Sequence, residues 1–365
     1  MSKKVIISGG GTGGHIYPAI AIANALQKKD PDLEVLFVGA LGKMEMEKVP
    51  RAGYEIVGLP IAGLKRSLSL DNLLVPFKLL NSLSKAKRII ADFKPDVAVG
   101  VGGFASGPLL MMASLAGIPT LIQEQNSYAG ITNKFLGKKA NKICVAYPGM
   151  EAFFPAEKIV LLGNPVRSDI VDVSARNKEG LVEFGLNGAH KTLFVMGGSL
   201  GARSINEGIN AGLPRLLEAG YQVLWQTGRS YIDTAKQTIA DLGTDKIKAF
   251  DFIYTMDLAY AVADVVISRA GALSVSELCL AAKPSILVPF PAAAEDHQTK
   301  NALTLVEQDA ALMIKDSKAM QDLVPQALQL LKDIAKQEEL RLNIRKLARP
   351  NAADDIAAEV FNLIK

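Results

Sequence analysis

The residues best suited to chemistry in this 365-residue chain are one histidine and four glycine loops. His15 closes the run Gly9-Gly10-Gly11-Thr12-Gly13-Gly14. Imidazole takes up a proton near neutral pH, so a histidine at a loop mouth is a candidate base. It could equally do no more than hold a helix start by hydrogen bonding. Of the other two histidines, His190 lies in the polar turn NGAHKT and His297 just past the SILVPFP run, in EDHQTKNA. Gly9-x-Gly11-x-x-Gly14 follows an apolar run, VIIS (5–8). Such a loop lets backbone N–H groups approach a phosphate or sugar at the next helix start. The dinucleotide form of this fingerprint needs an acidic residue at the end of the second strand. Here that strand ends FVGALGK, with no carboxylate to hold a ribose.

The second loop is Gly197-Gly198-Ser199-x-Gly201-Ala202-Arg203, and the third is Gly102-Gly103-Phe104-Ala105-Ser106-Gly107-Pro108. The fourth, Arg269-Ala270-Gly271-Ala272-Leu273-Ser274, opens a helix-period segment that carries Glu277. Amides at that helix start suit a diphosphate. Glu277 could accept hydrogen bonds from vicinal ribose hydroxyls or stand in solvent. The Walker A lysine of P-loop ATP chemistry is missing. Four glycine loops at strand ends point to a nucleotide-bearing ligand, with room for a second phosphorylated partner. No His/Cys cluster has metal-ligand spacing, and the acidic pair Glu295-Asp296 lacks a DxD arrangement, so no metal and no cofactor is expected.

These loops need rigid elements to hold them. Apolar runs alternate with helix-period segments throughout. VIIS, EVLFVG (34–39), DVAVG (96–100), PTLI (119–122) and KICVA (142–146) form one strand series. TLFVM (192–196), QVLWQ (222–226), IKAF (247–250), DVVIS (264–268) and SILVPF (285–290) form a second. Segments such as 15–29, 72–91, 202–219 and 271–282 carry apolar residues at helical spacing between them. Alternation of this kind means parallel sheets with right-handed crossovers. VIISGGGTGGH (5–15) and LFVMGGSLGAR (193–203) open the two series on one plan. The fold class is therefore α/β, with two doubly wound, Rossmann-like domains facing a cleft at the strands' carboxyl ends. The boundaries are 1–165 and 166–349, with a terminal helix, 350–365, that can return to the first domain.

Composition narrows the function. The apolar fraction, 49%, and the net charge, +4, exclude a disordered chain. Two cysteines, Cys144 and Cys279, in apolar surroundings give no disulfide framework, as in a reducing compartment. No signal peptide is visible. Val97 to Gln123 has no charged residue, but its glycines and prolines read as strand, loop, helix and strand rather than a membrane span. Charge is unevenly shared: residues 1–165 carry +7 and the remainder −3. Within the basic half, residues 64–94 hold seven basic residues against two acidic ones and a surplus of apolar side chains. Leu74, Phe77, Lys78, Lys85, Lys87 and Arg88 of this stretch could meet an anionic membrane surface, or form an ordinary amphipathic helix with a solvated basic face. The stretch lacks the aromatic interleaving of a nucleic-acid binder, so no nucleic-acid partner is expected.

Seven motifs in order carry a resemblance to the MurG family of bacterial glycosyltransferases. They are GGGTGGHIYPAIAIA (9–23), VGGFASGP (101–108), QEQNSYAG (123–130), GNPVR (163–167), GGSLGARSIN (197–206), SRAGALSVSE (268–277) and DHQTKNA (296–302). The resemblance runs from the first strand to about residue 305. It implies the GT-B arrangement of two domains and transfer of N-acetylglucosamine, with inversion, from UDP-N-acetylglucosamine. The implied acceptor is the 4-hydroxyl of undecaprenyl-pyrophosphoryl-N-acetylmuramoyl-pentapeptide, giving lipid II for peptidoglycan synthesis. It further implies a peripheral enzyme on the cytoplasmic side of the plasma membrane, with acceptor on the first domain and donor on the second. By resemblance, His15 lies close to the acceptor hydroxyl, and as the one well-placed neutral-pH base in the first domain it is the candidate for the catalytic base. Thr12, Gly13 and Gly14 touch the sugar or phosphates, and Asn126 the donor sugar. Arg167 and Ser199 contact phosphates, and Ile253 contacts uracil through its backbone. Ala272 and Leu273 cap the diphosphate, Glu277 binds the ribose, and His297 and Gln298 read sugar hydroxyls. The Pro-Ala-rich lead-in at 291–295 departs from the family's pattern. Other GT-B transferases, a UDP-N-acetylglucosamine epimerase and a non-catalytic nucleotide-sugar sensor are the alternatives at this stage.

Overall fold

The structure is a computed structural model and describes residues 2–61, 75–166, 170, 173–198 and 200–364. The chain divides into two compact units, Met1–Val166 with Asn351–Lys365, and Arg167–Pro350.

The first unit runs β1 (Lys4–Ser8), α1 (Gly13–Lys29), β2 (Glu34–Ala40), α2 (Glu45–Arg51), β3 (Glu55–Leu59) and α3 (Val75–Phe93). It continues with β4 (Val97–Gly100), α4 (Ser106–Leu115), β5 (Thr120–Glu124), α5 (Ile131–Gly137), β6 (Lys142–Val145) and β7 (Ile159–Leu161). All seven strands are parallel, in the order β3-β2-β1-β4-β5-β6-β7. Alternate residues point to opposite faces. Val5, Ile7, Val97 and Val99 pack with Ala19, Ile22 and Leu26 of α1 on one face. Ile6, Val38 and Ala98 pack with Ala86 and Ile90 of α3 and Leu109 of α4 on the other. A strand covered on both sides has no solvent face, so these runs are apolar without alternation. The uncharged stretch 97–123 is accordingly β4, a loop, α4 and most of β5. Among the described residues no helix is long and apolar enough to cross a membrane.

The second unit runs α6 (Asn177–Phe184), β8 (Thr192–Met196), α7 (Arg203–Glu218), β9 (Gln222–Gln226), α8 (Ile232–Leu242), β10 (Ile247–Phe250) and α9 (Met256–Val262). It continues with β11 (Val265–Ser268), α10 (Ala272–Ala281), β12 (Ser285–Leu287), α11 (His297–Val306), β13 (Leu312–Met313), α12 (Ala319–Lys332) and α13 (Ile334–Lys346). Its six parallel strands are ordered β10-β9-β8-β11-β12-β13. Leu193, Val195, Trp225 and Ile267 of this sheet share a core with Ile205, Ile209 and Leu213 of α7 and Leu323 and Ala327 of α12. Lys283, after α10, donates Nζ to the Ala263 carbonyl at 2.8 Å, and burial pushes its ammonium down to about 8.

The chain then returns to the first unit. α14 (Ala352–Leu363) lays Ile356, Ala357 and Val360 against the apolar face of α1 and β1. Lys28–Asp354 and Lys142–Glu359 pairs, both 3.4 Å, flank it and add little at this exposure. Three strands have no counterpart in the sequence reading: β3, β7 and β13. All three are sheet edges, where one neighbour and partial burial suffice, so their apolar signal is weak. In the other direction, SILVPF is strand only to Leu287, because Pro289 has no N–H to continue a ladder.

Candidate active site

In each sheet the strand order reverses once, between β1 and β4 and between β8 and β11. Loops leaving the carboxyl ends at such a reversal diverge and open a ligand crevice. All four glycine loops leave from these four strands.

In the first unit the loops after β1 and β4 are knitted together. Gly10 N–H donates to Gly102 O at 3.3 Å, and Ser106 Oγ lies 2.9 Å from both Ser8 O and Gly102 O. Thr12, in extended conformation, precedes α1, and its carbonyl accepts from the amides of His15 and Ile16. The amides of Gly13 and Gly14 thus lie at the open end of the helix. No acidic side chain occupies the first turn to repel an anion. His15 Nδ1 is 3.0 Å from Gly10 O. A carbonyl only accepts, so Nδ1 carries the hydrogen and the neutral ring has its lone pair on Nε2. The ring lies against Gly102, where an added Cβ would come within 2.8 Å of Nε2.

Two buried carboxylates absent from the sequence reading shape this region. Glu45, 1% exposed, accepts from Gly11 N–H at 2.8 Å and Ala40 N–H at 3.0 Å. Glu124 accepts from the amides of Asn126 and Gly130, both 3.1 Å, and from Asn133 Nδ2 at 2.9 Å. It thereby sets the turn that presents Asn126, which is half-buried. Glu124 ends an apolar run, where a carboxylate that cannot be solvated must have backbone donors, and that mismatch was the available signal; Glu45, in the charged stretch KMEMEK, gave none.

In the second unit α10 begins after Gly271, whose carbonyl accepts from Val275 N–H at 2.9 Å. The amides of Ala272 and Leu273 lie at its open end, again with no acidic residue in the first turn. Glu277 is not a solvated surface group: the buried Tyr260 donates its hydroxyl to Glu277 Oε2 at 3.1 Å and fixes the carboxylate. Ile253 is buried and its N–H is already given to Gln226 Oε1 at 2.9 Å, so its carbonyl is the group that a base could read. Gln226 Nε2 in turn donates to Gly198 O at 3.2 Å, tying the second glycine loop to residue 253. Gln298 Oε1 accepts from Phe290 N–H at 2.9 Å, which leaves its amide nitrogen as the donor end. His297 Nδ1 is 2.7 Å from Ala294 O and so has the same tautomer as His15. Arg269 is engaged within the unit, by Val288 O at 3.0 Å and Asp316 at 2.5 Å, and serves the frame rather than a ligand. Arg167 and Ser199 lie outside the described residues, as does Leu74. Among the described residues no group of three or more His, Cys, Asp or Glu is placed to hold a metal ion.

The candidate membrane side chains fall on α3. Phe77 and Leu80 are 71% and 64% exposed, and Lys87 and Arg88 also face solvent. Lys78 is half-buried. Lys85 differs from the sequence reading: its ammonium donates to Gly58 O at 2.8 Å, on the edge strand β3, so it braces the helix.

Comparison with known proteins finds relatives of both units. Residues 5–145 match the glycosyltransferase family 28 N-terminal domain, and residues 192–356 match the glycosyltransferase family 28 C-terminal domain. A relative from Cytophaga hutchinsonii is 57% identical over 99% of this chain and 97% of its own. One from Parabacteroides distasonis is 55% identical over 99% and 98%. Both are named UDP-N-acetylglucosamine–N-acetylmuramyl-(pentapeptide) pyrophosphoryl-undecaprenol N-acetylglucosamine transferase. Among solved structures, the Acinetobacter baumannii MurG crystal structure superimposes with a TM-score of 0.79 at 30% identity, covering 99% of each chain. A UDP-GlcNAc 2-epimerase from Neisseria meningitidis has a TM-score of 0.68 at 14% identity, a likeness of fold alone.

Proposed function

The chain belongs to glycosyltransferase family 28, and from that premise we propose how it works. It is an N-acetylglucosaminyltransferase that moves N-acetylglucosamine from UDP-N-acetylglucosamine to lipid-linked N-acetylmuramoyl-pentapeptide, forming lipid II. The fold is GT-B. The second unit holds the donor: the Ala272 and Leu273 amides face the diphosphate, Glu277 the ribose hydroxyls, the Ile253 carbonyl the uracil, and Gln298 with His297 the sugar. Arg167 and Ser199 add phosphate contacts in this reading. The first unit holds the acceptor, with Thr12, Gly13, Gly14 and Asn126 reaching the donor sugar or its phosphates.

Transfer is a single displacement. The acceptor's 4-hydroxyl oxygen attacks the anomeric carbon as the bond to the phosphate oxygen breaks. UDP leaves with that electron pair, and the hydroxyl proton passes to His15 Nε2. Helix-start amides stabilise the charge that develops on the leaving diphosphate, a term that usually dominates such catalysis. The observation that carries this reading is the 3.0 Å contact of His15 Nδ1 with Gly10 O, which in the neutral ring assigns the hydrogen to Nδ1 and the lone pair to Nε2. The product from the α-linked donor should be a β-linked disaccharide, read by the anomeric coupling in proton NMR. An α linkage would contradict direct displacement.

A lipid-linked acceptor brings the enzyme to the cytoplasmic face of the membrane. α4 packs between α3 and α5 on one sheet face. Phe77 and Leu80 on α3, Leu115 on α4 and Ile131 and Phe135 on α5 are exposed, as are Lys87 and Arg88 on α3, whereas Lys134 of α5 is half-buried with its ammonium over the rings of Tyr128 and Phe153. Exposed apolar side chains with cations on the same helix suit an anionic interface. Each basic residue near such a surface contributes about 1 kcal/mol. The double reversal Lys87→Glu with Arg88→Glu should therefore weaken binding to phosphatidylglycerol vesicles by roughly tenfold or more. Unchanged sedimentation with the vesicles would remove this surface from the account.

A further inference from the structure

We propose that Glu45 is a positioning residue that acts on His15 through one peptide group. The inference rests on the reading of His15 as the base. Glu45 Oε2 accepts the Gly11 N–H at 2.8 Å, and His15 Nδ1 lies 3.0 Å from the Gly10 carbonyl oxygen. That N–H and that carbonyl are the two ends of a single peptide unit, Gly10–Gly11. In a trans peptide they point in opposite directions, so the carboxylate and the imidazole sit on opposite sides of one polarisable bridge. A carboxylate drawing on the N–H pushes electron density onto the carbonyl oxygen and makes it a better acceptor. The consequence is a firmer Nδ1–H, and with it a lone pair held on Nε2, where the acceptor hydroxyl must give up its proton. A carboxylate bonded directly to a catalytic imidazole does the same work in hydrolase triads, where loss of its charge lets the wrong tautomer in. Here a peptide group stands between the two.

The sequence around this bridge is built for it. A Cβ on Gly10 would lie 2.2 Å from Glu45 Oε1, and one on Gly39 would lie 2.5 Å from Glu45 Cγ. Both positions are left empty for one carboxylate. Its second oxygen takes the Ala40 N–H at the end of β2, so the carboxylate cannot swing away from Gly11. A brace alone would need only the Ala40 bond to close the β2–α2 turn. The bond to Gly11 spends the charge on the loop that carries the base.

The test reads tautomer and turnover separately. Nitrogen-15 NMR of the imidazole in the wild-type chain should show neutral His15 protonated at Nδ1. In Glu45→Gln, and in Glu45→Ala as a second variant, the two tautomers should mix. kcat should fall by about tenfold or more, with KM for UDP-N-acetylglucosamine nearly unchanged. Neutral His15 protonated at Nε2 in the wild-type chain would overturn the proposal without any variant needing to fold. So would variants that keep the Nδ1–H tautomer and wild-type kcat. A His15→Ala enzyme with full turnover would instead sink the reading of His15 as base, and leaves the NMR result on Glu45 standing.

Discussion

His15→Ala should lower kcat by about 10²- to 10⁴-fold at saturating concentrations of both substrates. KM for UDP-N-acetylglucosamine should move little, because uracil, ribose and diphosphate are assigned to the second unit. The expected size follows from the role. A sugar hydroxyl is far too weak an acid to ionise at neutral pH, so its proton must leave as the bond to carbon forms. The ring sits half-buried with Nδ1 3.0 Å from Gly10 O, and the proposed mechanism assigns the proton uptake to Nε2. The amides of Gly13 and Gly14 remain in the variant, since they belong to the helix start and not to the imidazole. Loss confined to kcat therefore marks a group used only in the transition state. Equal losses in kcat/KM and in donor affinity would mean that His15 binds rather than reacts.

Gly103→Ala should be severely damaging. Its φ of +90° lies outside the region that side-chain-bearing residues tolerate, and its Cβ would stand 2.3 Å from Gly10 O. That oxygen holds His15 Nδ1. The clash is with backbone, so no rotamer change relieves it. Strain of this kind costs about 3 kcal/mol. A displacement of the base by about 1 Å can cost a hundredfold in rate. The expected result is a lowered thermal midpoint and turnover reduced about 100-fold or more, while UDP binding measured by calorimetry is kept. A Gly103→Ala enzyme with wild-type kcat would show that the two loops are not held together as described.

The frame of the molecule was legible because buried parallel strands are continuously apolar and run into glycine turns. VIIS, DVAVG, TLFVM and DVVIS became β1, β4, β8 and β11, the four strands that border the two reversal points. Three of the four edge strands, β3, β7 and β13, escaped notice, having little apolar signal to give. At the site, residue types named His15 and Glu277 but could not say what held them. Tyr260 bonds Glu277 from 17 residues away, and Gly10 bonds His15 across a loop. Such partners depend on tertiary placement, not spacing. Glu45 was passed over because a carboxylate after a strand looks like a solvated helix start, whereas here it is sealed among backbone amides. Lys85 was grouped with the surface cations because its charge alone is visible in sequence; its bond to β3 is not.

UDP release offers the most direct measurement of the central claim, that this chain transfers a sugar between two substrates. With UDP-N-acetylglucosamine alone, UDP should form at no more than a trace rate. Addition of lipid-linked N-acetylmuramoyl-pentapeptide should start stoichiometric release, one UDP for each disaccharide product formed. UDP release or sugar epimerisation that proceeds at full rate without the acceptor, or no transfer to it at all, would contradict the account.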